Sequence, residues 1–346
     1  MERDGVRNLP NTQIPKYSRT LLTLWVFGCL GIWFAAVLPM RGGGSTDHPV
    51  VLVAVGAAGE EEFGNEFVKW AGLWEKVSAK AGAKHAVIGL GPTNDASDLA
   101  SLRLLLAEEP KESSAELWLV LIGHGTFDGK EAKLNLRGPD FTATEMAEWL
   151  KPFHRPVAVI NCAAASSPFI NKLSAPGRVI VTATRSGYEH NYARFGQSIA
   201  EAIADPTADL DKDEQTSLLE AFVMASRRVS EFYEAEGRLA TEHALLEDNG
   251  DGLGTPADFF RGVRAVKKAA EGTVVDGLRA HQLHLVRSER EQRMLPEVRA
   301  RRDELELAVA RLRDSKEKLG EEEYYRRLEI MMTELATLYG GQPEPR

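Results

Sequence analysis

At 346 residues the chain has material for one large α/β unit and a smaller appendage. Hydrophobic residues at 43% and charged residues at 27% exclude a disordered chain, a collagen-like chain and a helical polytopic membrane protein. With 42 basic against 51 acidic side chains the net charge is −9, which argues against nucleic acid as a partner, and two cysteines, Cys29 and Cys162, cannot build a disulfide framework.

In chain order, residues 1–20 carry Arg3, Arg7, Lys16 and Arg19, and 21–38 form an uncharged, mostly apolar run at the lower length limit of a membrane-spanning helix. Only Arg41 follows closely, so the positive-inside bias predicts a cytoplasmic N-terminus, an anchor over 21–39 and an extracytoplasmic remainder. A cleaved signal segment, leaving a secreted protein, is the competing reading, with Ala35 and Ala36 near its end. Val26-Phe27-Gly28-Cys29 imitates a lipoprotein box, but the apolar run continues past Cys29. Cys162 is then the one thiol of the exported part.

Residues 40–48, rich in glycine, read as a tether. Beyond it, continuous apolar runs at 50–56, 85–90, 117–122, 157–160 and 178–183 predict buried strands. Helical patterns at 63–81, 97–107, 142–150 and 191–204 alternate with them, so a mostly parallel sheet with helices on both faces is expected over 49–254. From 255 to 346 no strand pattern remains, and a helical annex is expected. Leu305, Val309, Leu312 and Leu319 form one apolar stripe, and Tyr325, Leu328, Met332, Leu335 and Tyr339 another, which suggests an antiparallel hairpin. That hairpin either packs on the main domain or takes a helical partner.

In an open parallel sheet, ligands sit beyond the carboxyl ends of the strands. The third predicted strand ends in Ile122-Gly123-His124-Gly125 and the fourth in Val159-Ile160-Asn161-Cys162, so an imidazole and a thiol are expected at one rim. Such a pair suffices for acyl transfer, with thiolate attack and histidine as general acid and base. A nearby imidazolium and a following helix N-terminus are expected to lower the thiol pKa. The Gly125 and Cys162 N–H groups are the oxyanion candidates. The competing explanation is a small buried hydrophobe at 162 and turn chemistry at 123–125.

These residues, Ile122-Gly123-His124-Gly125-Thr126-Phe127-Asp128-Gly129, then Leu134-Asn135-Leu136, a helix, and Ala158-Val159-Ile160-Asn161-Cys162, resemble the caspase-like cysteine peptidases, most closely the legumain and GPI-transamidase branch. The run from Phe63 to Trp70 is similar to that family's first helix, and the resemblance covers residues 50–204. It implies a Cys162–His124 dyad without an obligatory third member, cleaving polypeptide through a thioester, with no cofactor. Legumains carry an acidic residue two positions before the cysteine, where Ile160 stands here, so asparaginyl specificity does not carry over. The loop holding Thr184, Arg185 and Ser186 lies where the family grips substrate.

Asp209, Asp211, Asp213, Gln215, Ser217 and Glu220 follow calcium-loop spacing, but Glu214 occupies the position that needs glycine. Ser217 and Glu220 are equally a capping box. Glu247, Asn249, Asp251 and Gly252 imitate the same loop, interrupted by Pro256. Gly89-Leu90-Gly91 lacks the third glycine of a dinucleotide loop, and His281 and His284 have no third ligand nearby. The rival to an enzyme is a noncatalytic binding scaffold that works through its annex.

Overall fold

A computed structural model describes residues 48–92, 97–267 and 275–340. The segment predicted to be an anchor, 21–39 with Cys29, lies outside the described residues, as do its cytoplasmic flank and most of the tether. No helix among the described residues is long and apolar enough to cross a membrane.

The chain enters through β1 (Val50–Val55), buried at every position. α1 (Glu61–Lys80) buries Phe67, Trp70, Ala71, Trp74 and Val77, the repeat of a helix with one apolar face. β2 (Lys84–Ile88) and α2 (Asp98–Glu108) follow, the helix capped by Ser97 Oγ, which accepts the Ala100 N–H at 3.2 Å. β3 (Leu117–Ile122) is buried throughout and opens into a small antiparallel sheet of β4 (Gly125–Phe127), β5 (Ala132–Leu134) and β6 (Phe141–Thr142). α3 (Ala143–Leu150) starts from a capping box of Thr142 and Glu145. Then come β7 (Val157–Asn161), α4 (Pro168–Leu173), β8 (Arg178–Thr182), α5 (Phe195–Ala202) and α6 (Leu218–Ala235).

The main sheet continues with β9 (Leu245–Glu247) and β10 (Thr255–Pro256) and has the order β10-β9-β8-β7-β3-β1-β2. Five strands are parallel, as predicted, and β9 and β10 add an antiparallel edge that a three-residue and a two-residue strand could not announce in sequence. Val55 pairs with Ile122, Leu121 with Asn161 and Asn161 with Thr182, so the strands end at a common rim. Because β1 leads outward to β2 in one direction while β3, β7 and β8 run the other way, the order reverses between β1 and β3, the place where open parallel sheets bind ligands.

Each face of the sheet has its own core. Val51, Val53, Val55, Trp118, Val120, Ile122, Ala158 and Ile160 pack under α1, α5 and α6. Leu52, Ala54, Leu119, Leu121 and Val159 pack under α2, α3 and α4. Each fully buried aliphatic side chain contributes roughly 1.5–3 kcal/mol of transfer free energy.

The expected boundary after residue 254 does not hold as a break in the fold. β10 lies beyond it in the main sheet, a hairpin of β11 (Phe260–Arg261) and β12 (Arg264–Ala265) follows, and Phe260, Ala280 and Leu285 belong to the same core as Phe222. α7 (Leu278–Gln282), α8 (Glu289–Arg293), α9 (Pro296–Asp314) and α10 (Glu321–Gly340) complete the annex. The buried Arg302–Glu291 pair at 2.6 Å knits it internally, and Arg287 pairs with Glu116 just ahead of β3. α9 and α10 pack through Leu305, Val309 and Leu335, with Leu328, Met331 and Leu338 around them. Of the expected second stripe, Leu328 and Leu335 do face inward, but the other three places are taken by the preceding residues, Tyr324, Met331 and Leu338, while Tyr325 and Met332 are half exposed. Both stripes alternate threes and fours, as a seam facing a partner helix requires, so the packing against Leu305 and Val309 of α9 decides between them.

Candidate active site

β3 delivers His124 to the common rim of the strands. Its Nε2 lies 3.0 Å from the carbonyl oxygen of Ala58, on the chain that leaves β1. A carbonyl only accepts, so Nε2 carries the hydrogen and the Nδ1 lone pair is left for base work. Phe63 and Phe67 of α1 hold the imidazole edge to face, with ring centroids at 5.0 and 5.3 Å. No composition or spacing signal could have revealed the Ala58 carbonyl, because every residue offers one.

β7 delivers Cys162, whose N–H donates to Leu121 O at 2.8 Å. Its side chain shares a face of the sheet with Ile160, and His124 follows Ile122 by two residues on that same α1 face. The two groups thus come to one rim of adjoining strands, as the sequence suggested. The thiol's surroundings differ from expectation. Cys162 is 1% exposed among Phe67, Trp70 and Phe195, and burial pushes its thiol pKa up, with the Glu242 carboxylate adding in the same direction. The expected helix N-terminus is missing from this position, since α4 begins only at Pro168 and runs six residues. Gly196 explains the tight cover: a Cβ there would sit 2.5 Å from the Trp70 ring and 2.9 Å from Cys162 Cβ, so α5 rests directly on the cysteine. Tyr192 completes the roof, stacked on Phe63 at 4.7 Å and tilted against Trp70 at 5.8 Å.

Of the two expected oxyanion donors, the Cys162 N–H is corrected away, because the ladder to Leu121 consumes it. Gly125 keeps its role as a candidate. Asn135 N–H donates to His124 O and Asp128 N–H to Glu131 O, so Gly125 opposite Leu134 falls in a non-hydrogen-bonded pair and its N–H points away from β5. Among the described residues nothing accepts from it. Glycine is required there, because a Cβ would stand 2.2 Å from Ala164 O.

The expected substrate loop divides. Thr184 is fully buried, and its hydroxyl accepts from Ser166 N–H at 2.8 Å and Ser167 N–H at 3.2 Å. It ties the turn after Cys162 to the end of β8 and faces no substrate. Arg185 is exposed and borders a cavity of about 470 Å³, with its guanidinium 3.3 Å from Glu189. The Ser186 hydroxyl accepts the Tyr188 N–H at 3.1 Å.

The oxygens of Asp209, Asp211 and Asp213 gather within 4.8 Å of one another. Glu220 turns its oxygens to the Leu210 and Asp211 N–H groups and to Ser217, whose hydroxyl and N–H it accepts at 2.8 Å, as a capping box requires. In the imitation loop, Glu247 accepts from Ser174 and Gly250, and Asn249 and Asp251 accept N–H groups two residues on, which is turn bonding. His281 is engaged by Asp211 at 2.8 Å, whereas His284 is buried and its pKa is pushed down to about 4, so the two histidines form no joint site.

No family model matches the chain, and no curated protein is similar to it in sequence. Among solved structures it is similar to the Drosophila initiator caspase Dronc, with 13% identity and a TM-score of 0.41 over 60% of this chain and 82% of that one. It is also similar to caspase-1 from Spodoptera frugiperda, with 10% identity and a TM-score of 0.37 over 58% and 87%. Both are caspases rather than members of the legumain or GPI-transamidase branch. Likeness at this level says nothing about activity.

Proposed function

We propose that the protein is a cysteine peptidase or transpeptidase with Cys162 as nucleophile and His124 as general acid and base, borne outside the cytoplasm on residues 21–39. The observation that carries this reading is the Ala58 carbonyl on Nε2, which leaves Nδ1 of His124 without a partner among the described residues, at the rim where β7 leads into Cys162, the only thiol of the described residues. The thiol proton passes to His124, sulfur bonds to the scissile carbonyl carbon, and Gly125 N–H faces the developing oxyanion. The C–N bond breaks as imidazolium protonates the departing amine. Water, or a second amine in transpeptidation, then gives up a proton to His124 and releases the acyl group from sulfur.

In the structure the sulfur is sealed, so this cycle requires the contact of Gly196 on α5 with Cys162 and Trp70 to open. The same sealing favours a second reading, a scaffold without turnover that binds through α9 and α10. Peptide-library cleavage by the full chain and by Cys162→Ala separates the two. On the peptidase reading the variant folds and loses turnover by ~10⁴-fold or more. Equal cleavage by both proteins, or by neither, overturns it.

A further inference from the structure

The cavity of about 470 Å³ bordered by Arg185 lies beyond the end of β8, one strand along from Cys162, and no step described so far uses its interior. We infer that it holds the lysine or arginine side chain of a polypeptide substrate, on the acyl side of the bond that Cys162 attacks. The inference rests on the peptidase reading and adds its specificity.

The walls are apolar, built by Phe195, Val229 and Phe259, which suits the methylene stem of a long side chain. Glu242 also lines the cavity and is 3% exposed. Its oxygens accept the Arg194 N–H at 2.9 Å, the Phe195 N–H at 3.0 Å and the Tyr233 hydroxyl at 3.1 Å, three neutral donors for a group with about four lone-pair sites. Among the described residues no lysine or arginine forms an ion pair with it. The guanidinium of Arg194 lies instead over the Phe232 ring at 4.3 Å. Ser226 Oγ, buried in the same lining, has no partner among the described residues and offers a further acceptor to an N–H. Asp258 borders the cavity too, but its carboxylate is already paired with Lys267, which leaves Glu242 to meet the cation. The cation already at the border, Arg185, lies beside Glu189, which also takes His243 Nδ1 at 2.7 Å, so an acidic side chain entering here would compete with Glu189 for both.

A buried carboxylate without a close ion pair is costly, and burial, only partly offset by its hydrogen bonds and the Arg194 charge, holds Glu242 above the ordinary glutamate range. A guanidinium or ammonium beside it offsets that cost. It also weakens the field by which Glu242 adds to the burial that raises the Cys162 thiol.

Two measurements on the full chain in detergent test this. In the first, n-butylguanidinium binding to the Cys162→Ala protein is followed by calorimetry, with n-hexanol as the uncharged control. Saturable binding of the cation and none of the alcohol is expected. Glu242→Gln, which keeps an acceptor for the α5 amides, should weaken binding at least tenfold, and Ser226→Ala, which removes an unpartnered hydroxyl of the lining, several-fold. In the second, fluorogenic peptides differing only at the acyl-side residue should show kcat/KM at least tenfold higher for Arg and Lys than for Leu, Asn or Asp. Equal or faster cleavage after Leu, Asn or Asp overturns the basic specificity and leaves the peptidase reading standing. Absence of n-butylguanidinium binding also overturns it. Binding without cleavage of any peptide overturns the peptidase reading and the substrate assignment with it.

Discussion

His124 and Cys162 were legible because each closes an apolar run, and such runs are strands whose ends form a rim. The partners that define their chemistry were not. The Ala58 carbonyl is backbone, and the roof over the sulfur comes from Trp70, Tyr192 and Gly196, up to 92 residues away from Cys162 along the chain. A lone thiol in sequence looks the same whether it is sealed or open. Gly125 gives this scale its test. In Gly125→Ala the methyl group must displace Ala164 O and move the N–H, so kcat on any cleaved peptide should fall by ~10²-fold or more. Undiminished kcat would remove Gly125 N–H from the oxyanion role.

Among the elements, helix starts were the best-marked features, since a cap is written in a few adjacent residues. Ser217 and Glu220 at α6 are buried and exchange both bonds of a capping box. Ser217→Ala should lower the unfolding free energy by ~1–2 kcal/mol, read from urea denaturation. β9, β10 and β11 were not legible, because two or three residues carry no period; pairing with a neighbour makes them strands. β10 is also held by Asp276, which accepts the Thr255 hydroxyl and the Asp248 and Asn249 N–H groups. Burial is the main cause that raises the Asp276 carboxyl from 3.8 to about 7. A carboxyl raised in the folded state binds its proton more tightly there than when unfolded. Its contribution is therefore complete below pH 4 and is lost as pH rises towards 7. Asp276→Asn should flatten that part of the stability profile, and an unchanged slope would assign it to other groups.

For the molecule as a whole, the two faces of the sheet and the annex are continuous, and the described residues group as a single unit. Its consequence for the site is protection. Iodoacetamide should modify Cys162 at least tenfold more slowly in the native chain than in concentrated urea, with Cys29 located separately by peptide mapping. Equal rates would mean that the roof is open in solution.

Sequence by itself determined the alternation of buried strands and covering helices, the caps, and the convergence of an imidazole and a thiol, because periodicity and chain order encode all three locally. Tertiary structure alone decided which stripe of α10 faces inward, that Cys162 lies under α1 and α5, and that Glu242 reaches the cavity beside it. Each of these is set by contacts between segments far apart in the chain, and the burial such contacts impose outweighs what a residue's type or spacing can predict.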